Sequence, residues 1–151
     1  MRRVQADGAV LFCGTNLRIR IAVLKAGLVL VSAQGEVADP EDSRVEAAVM
    51  AELDRELERA GKLTVFADIR ESPRMPAASR EKIAKWMRRH QARLLPSHIL
   101  VRSKLIEMAV SIITMLVGSG VFEMHTKPEV FLKLLKKAAP QLTALPVVPE
   151  Q

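Results

Sequence analysis

The chain has 151 residues, with 23 lysines and arginines against 17 aspartates and glutamates, giving a net charge of +6 with histidine neutral. That length fits one domain with a real hydrophobic core. One cysteine, Cys13, excludes an intrachain disulfide and a multi-cysteine zinc site, and four Phe, one Trp and no Tyr leave little for the stacking platforms of single-stranded nucleic-acid binders.

Residues 1–16 form an N-terminal segment, with a frayed start over 1–8 and a candidate edge strand over 9–13. Arg2 and Arg3 ahead of the stretch 8–14 imitate a signal sequence, but the apolar run is about five residues, short of the ~7–15 of a signal core. The bulky Phe12 before Cys13 speaks against lipoprotein cleavage. The expected location is the cytoplasm. Residues 17–24 alternate polar and apolar, the period of a half-buried strand. A glycine-containing link at 25–27 joins them to a second apolar strand, 28–33, which predicts an antiparallel hairpin.

A helix follows with strong start signals: Asp39 as N-cap, Pro40 at the first helical position, and Glu41 and Asp42 at the positive dipole end. Val45, Val49, Leu53 and Leu57 recur every fourth residue as the buried face, and Gly61 ends it. Glu46, Glu52, Asp54, Glu56 and Glu58 make its outer face acidic. Residues 63–69 read as a strand covered on both faces. Two prolines, Pro73 and Pro76, mark the loop 70–78. Ser79 then reads as the cap of a helix running to about 94, with Ile83, Trp86, Met87, His90 and Leu94 inward. Lys82, Lys85, Arg88, Arg89 and Arg93 form its basic face.

The stretch 96–126 reads as strand, helix, strand, a βαβ unit with two parallel strands. Ser103 caps the central helix and Gly118 closes it. Leu105, Met108, Ala109, Ile112, Met115 and Leu116 form one apolar stripe, and Ile106, Val110, Ile113 and Val117 form a second beside it. Together they span an arc of roughly 220°, about twice what a surface helix needs. The second stripe is taken as the outer one and is expected to be covered, most simply by the same helix of a second copy in a homodimer, the alternatives being another partner, a ligand, or the monomer's own core. The helix is too short to cross a bilayer, which takes about 20 residues. A last helix over 129–138 turns Val130, Phe131, Leu134 and Leu135 inward. Pro140, Pro146 and Pro149 mark a flexible tail, 140–151.

Strands alternating with helices imply a mixed α/β domain: a largely parallel sheet with an antiparallel hairpin at its start and four helices. This order, together with Phe66-Ala67-Asp68-Ile69 closing a central strand and the stretch 99–117, resembles the STAS domain of anti-sigma-factor antagonists and sulfate-transporter tails, and its Sec14-like relatives. The resemblance covers about 17–139. It implies a non-enzymatic module that acts by binding a protein in bacterial signalling, or, in the Sec14-like alternative, a small apolar ligand or lipid. Phosphorylatable STAS proteins carry Asp-Ser-Ser/Thr-Gly after the equivalent strand. Here that region lacks the Ser-Gly turn, although Ser72 and Ser79 lie in the right zone.

Asp68, Ser72, Arg74, Ser79 and Arg80 border the carboxyl end of the central strand, where open α/β sheets bind ligands, and form a candidate switch or anion site. The competing reading is structural, with Ser79 a cap and Asp68 a loop-fixing acceptor. His90, His98 and His125 show no metal-ligand spacing, so no metal site is expected. Cys13 has apolar neighbours and no adjacent base. No phosphate-cradling loop or nucleophile–base pair is visible, so neither a cofactor nor an enzymatic activity is expected. The basic face carries no nucleic-acid motif. Set against the acidic helix, it suits docking to a protein partner or to a second copy of the chain.

Overall fold

The computed structural model describes residues 1–118 and 120–150. Seven strands form one sheet in chain order: β1 (Arg2–Val4), β2 (Val10–Cys13), β3 (Leu17–Lys25), β4 (Leu28–Gly35), β5 (Thr64–Glu71), β6 (Ser97–Leu100) and β7 (Phe122–His125). β1 to β4 pair antiparallel as a meander, and β4 to β7 pair parallel. The crossovers are α1 (Pro40–Ala60), α2 (Ala77–His90) and α3 (Lys104–Val117), and α4 (Pro128–Ala138) follows the last strand. Each crossover steps one strand in the same direction. Because such connections are right-handed, all three helices must lie on one face of the sheet. α4 takes the other.

The start of α1 follows its chemistry. The Asp39 side chain accepts from the Asp42 amide at 3.0 Å, Pro40 opens the first turn, and Gly61 ends the helix at φ 84°. Val45, Val49, Leu53 and Leu57 are buried on the face of the sheet where α1 packs against β2 and β3, in a cluster that also holds Trp86 and Ile113. Asp42 is fully buried within that start. Its carboxylate accepts from the amides of Asn16 (2.8 Å), Leu17 (3.1 Å) and Ala38 (3.1 Å), and from the Asn16 side chain (2.9 Å). Those donors hold its pKa down at about 2, although burial pushes the other way. On the opposite face Phe131 and Leu135 of α4 cover Leu28, Leu30, Phe66 and Leu100.

Several sequence expectations change. Residues 2–4 pair as the edge strand, so the segment over 9–13 lies one strand in from the edge. The tail is packed down: Leu142 and Leu145 extend the α4 cluster, and the Pro149 carbonyl accepts from Arg18 at 3.1 Å. Glu56 leaves the acidic outer face of α1. It is buried, accepts from the Gly27 amide at 2.8 Å and pairs with Arg59 at 2.6 Å. Val130 is exposed. α2 starts at Ala77 with Pro76 in the N-cap position and no side-chain cap, so Ser79 lies inside the first turn. At α3 the expected cap holds, with Ser103 accepting from the Ile106 amide at 3.4 Å.

Candidate functional site

The strand period of two divides the residues expected at the end of β5. Val65, Ala67 and Ile69 point toward the α1–α3 side, whereas Phe66 and Asp68 point toward α4. Asp68 is therefore separated by the sheet from Ser72 and Ser79. Its carboxylate is clamped by the Arg70 guanidinium at 2.9 and 2.8 Å, which holds Arg70 above its ordinary pKa. Arg80 turns back to the Met75 carbonyl at 2.9 Å. Arg74 pairs with Glu36 (3.1 Å for its longer contact), and that ion pair keeps the Glu36 carboxyl below its ordinary value. The five residues do not converge on one anion site.

Ser72, Arg74 and Ser79 instead line a cavity of about 220 Å³ between the sheet and α1–α3. The rest of its wall is almost wholly apolar, with Ile19, Val31, Met50, Ile83 and Ile113 among the lining side chains. Ser79 is 2% exposed and its hydroxyl has no hydrogen-bond partner. Ser72 is also buried, so neither hydroxyl is presented to a modifying enzyme at this surface.

The two stripes of α3 are exchanged relative to the sequence reading. Ile106, Val110, Ile113 and Val117 are 0–8% exposed and belong to the monomer's core. They meet Val101, Ile69, Met75 and Phe122 among others. The outward stripe is Leu105, Met108, Ile112, Met115 and Leu116, from 39% exposed at Ile112 to 84% at Met115. Ala109, expected with them, is buried. Both stripes are equally apolar in sequence, and a helix covered on one side buries only the one turned to its neighbours.

On α2, which packs beside α3, Lys85, Arg88 and Arg89 are exposed as expected. Arg88 reaches the Leu116 carbonyl at 3.3 Å, Lys82 pairs with Glu46 at 3.4 Å, and Arg93 pairs with Glu58 at 3.0 Å. His90 sits at the core edge, its ring against Trp86 and its Nε2 3.1 Å from the Asp54 carboxylate. His98 and His125, 27 positions apart, are brought to 3.0 Å between ring nitrogens. That approach was hidden from the sequence because β6 and β7 align only after α3 has crossed over. Burial, then the neighbouring His125, pushes the His98 imidazole below its usual pKa. No helix among the described residues is long and apolar enough to cross a membrane.

The antiparallel meander, the three crossovers on one face and the closing helix on the other give this chain a STAS-like α/β fold. The chain is similar in structure to the anti-sigma factor antagonist SpoIIAA in its unphosphorylated form. The TM-score is 0.56 at 11% identity, covering 83% of this chain and 99% of that one. It is also similar to an anti-sigma factor antagonist from Mycobacterium paratuberculosis (TM-score 0.52, 11% identity, 89% of this chain and 99% of that one). A third likeness is to an uncharacterised protein from Shewanella loihica with a SpoIIAA-like fold (TM-score 0.52, 16% identity, 80% of this chain and 94% of that one). No family model matches the sequence, and no curated protein matches it.

Proposed function

We propose that this chain is a regulatory docking module, acting by binding rather than catalysis, that holds a protein partner on the outward face of α3. The observation that carries this reading is the row Leu105, Met108, Ile112, Met115 and Leu116, five large apolar side chains exposed on one helix. Contiguous patches of that kind are uncommon on monomers unless they bind something. The exposed cations Lys85, Arg88 and Arg89 border the row from α2. The complementary surface is an apolar strip edged with carboxylates, presented by a protein other than this chain. Two of the similar structures are named as anti-sigma factor antagonists, which supports a regulatory role in bacterial signalling.

The test compares proteins retained from host lysate by the wild type, by a Met108→Lys/Met115→Lys variant and by a control with the exposed Val23 of β3 changed to lysine (Val23→Lys). A partner held by wild type and control but lost by the α3 variant is the expected result, and its binding should weaken with salt. A retained set that is the same for all three overturns the reading. A wild type that forms a dimer, with the α3 variant monomeric, replaces the partner by a second copy of the chain.

A second reading rests on the 220 Å³ cavity. It lies below the ~300–1,000 Å³ of drug-sized ligand sites, so it suits only a small apolar molecule. That size places it behind the docking reading. Solvent extraction and mass spectrometry of natively purified protein should release one such molecule per chain if the cavity is a binding site. An empty extract removes the reading.

A further inference from the structure

We propose that His98, Glu123 and His125 form a binding site for a divalent transition-metal ion, zinc in the first instance, at the β6–β7 edge of the sheet. The site is independent of the α3 docking face. The parallel register sets His98 opposite Glu123 and Leu100 opposite His125. Since side chains alternate between faces, all three donors project from the same face, the one covered by α4. His98 Nδ1 and His125 Nε2 are 3.0 Å apart. One carboxylate spans both, with Glu123 Oε2 4.0 Å from His98 Nδ1 and Oε1 4.0 Å from His125 Nε2. Among the described residues this is the group of His, Cys, Asp and Glu side chains close enough to share an ion, its donor atoms lying within 4.8 Å of one another.

The surroundings favour a held ion over a chance meeting of side chains. The His98 ring stacks on Phe66 at 4.8 Å, and Phe131 of α4 meets the His125 ring edge-on at 6.0 Å, so both imidazoles are fixed from below. Glu123 is exposed and free to swing in, leaving the ion's entry on the solvent side. Tetrahedral zinc with bonds of about 2.0–2.2 Å sets its donors roughly 3.3–3.5 Å apart. The imidazole nitrogens need to part by a few tenths of an ångström, and the Glu123 oxygen that joins them, in a set of donors now spread over up to 4.8 Å, needs to close by roughly an ångström, both within reach of side-chain rotation. Two imidazoles and one carboxylate select zinc and its neighbours cobalt, nickel and copper over magnesium and calcium, which prefer all-oxygen shells. Three protein ligands leave one position for water or for a group offered by another molecule.

The competing account is a direct hydrogen bond between the two imidazoles, and metal titration separates the two. The experiment uses the full chain, untagged and stripped with chelator, titrated with Zn²⁺ by calorimetry and with Co²⁺ by visible absorption. Expected are one ion per chain, a rise in melting temperature with added zinc, and the intense visible bands of tetrahedral cobalt. Glu123→Gln and His125→Ala should each weaken zinc binding by at least the ~10–100-fold that disturbing a metal's outer partners already costs. His90→Ala should leave it unchanged. Should His125→Ala fail to fold, the exposed Glu123→Gln variant and the wild-type cobalt spectrum still decide. Absence of stoichiometric binding by folded wild type, a six-coordinate cobalt spectrum, or zinc affinity unaffected by Glu123→Gln and His125→Ala overturns the proposal.

Discussion

Truncating two residues of α3 to alanine tests which stripe the helix buries. Ile113 is 2% exposed and Met115 is 84% exposed, although they stand two positions apart. A buried large aliphatic residue cut to alanine costs about 2–5 kcal/mol, from lost transfer energy plus the void left behind. Ile113 borders the 220 Å³ cavity, so one of its sides has fewer contacts to lose, and the lower part of that range, about 2–3 kcal/mol, is expected. For a chain of this size that is a fall in melting temperature of roughly 4–12 °C. Met115→Ala should stay within about 0.5 kcal/mol of wild type. The assay is urea unfolding followed by the fluorescence of Trp86, the sole tryptophan, which is buried in the same cluster as Ile113. A neutral Ile113→Ala together with a costly Met115→Ala would mean that the helix is turned the other way, and the docking face would fall with it.

Two further predictions concern buried polar groups. Asp42 has a folded pKa of about 2 against an ordinary 3.8, so its contribution is complete above about pH 4 and fades as pH falls through 3.8 toward 2. Acid titration of stability should show wild type losing on the order of 1–2 kcal/mol across that window. Asp42→Ala should lack that loss and be less stable by about 3 kcal/mol at neutral pH, because its amide donors are left unpaired. An unchanged acid limb in the variant would refute the assignment. Ser79→Ala removes a buried hydroxyl that has no partner, so it should raise stability by about 1 kcal/mol in the same urea assay. A loss of stability would show that the hydroxyl is bonded within the cavity.

The sequence by itself determined the elements that depend on near neighbours. Asp39, Pro40 and Gly61 bracket α1 because caps and turn conformations are set within a few residues, and Ser103 starts α3 for the same reason. The four-residue spacing from Val45 to Leu57 was enough to name the core face of α1. The alternation of strands and helices was enough for the mixed α/β class and the STAS-like order. Ser79 misled because a cap residue and a first-turn residue look alike until Pro76 is seen to open the helix.

Only the tertiary structure decided what depends on elements far apart in the chain. The sequence reading turns the wrong stripe of α3 outward because both are apolar, and the choice belongs to Val101, Phe122 and the other side chains waiting beneath it. Asp68 and Ser79 were one site on paper and are divided in space, because a strand sends successive side chains to opposite faces of the sheet. His98 and His125 carry no ligand spacing along the chain. They meet because β6 and β7 align in parallel register after a helix has passed between them, and that distance in sequence is closed by packing alone.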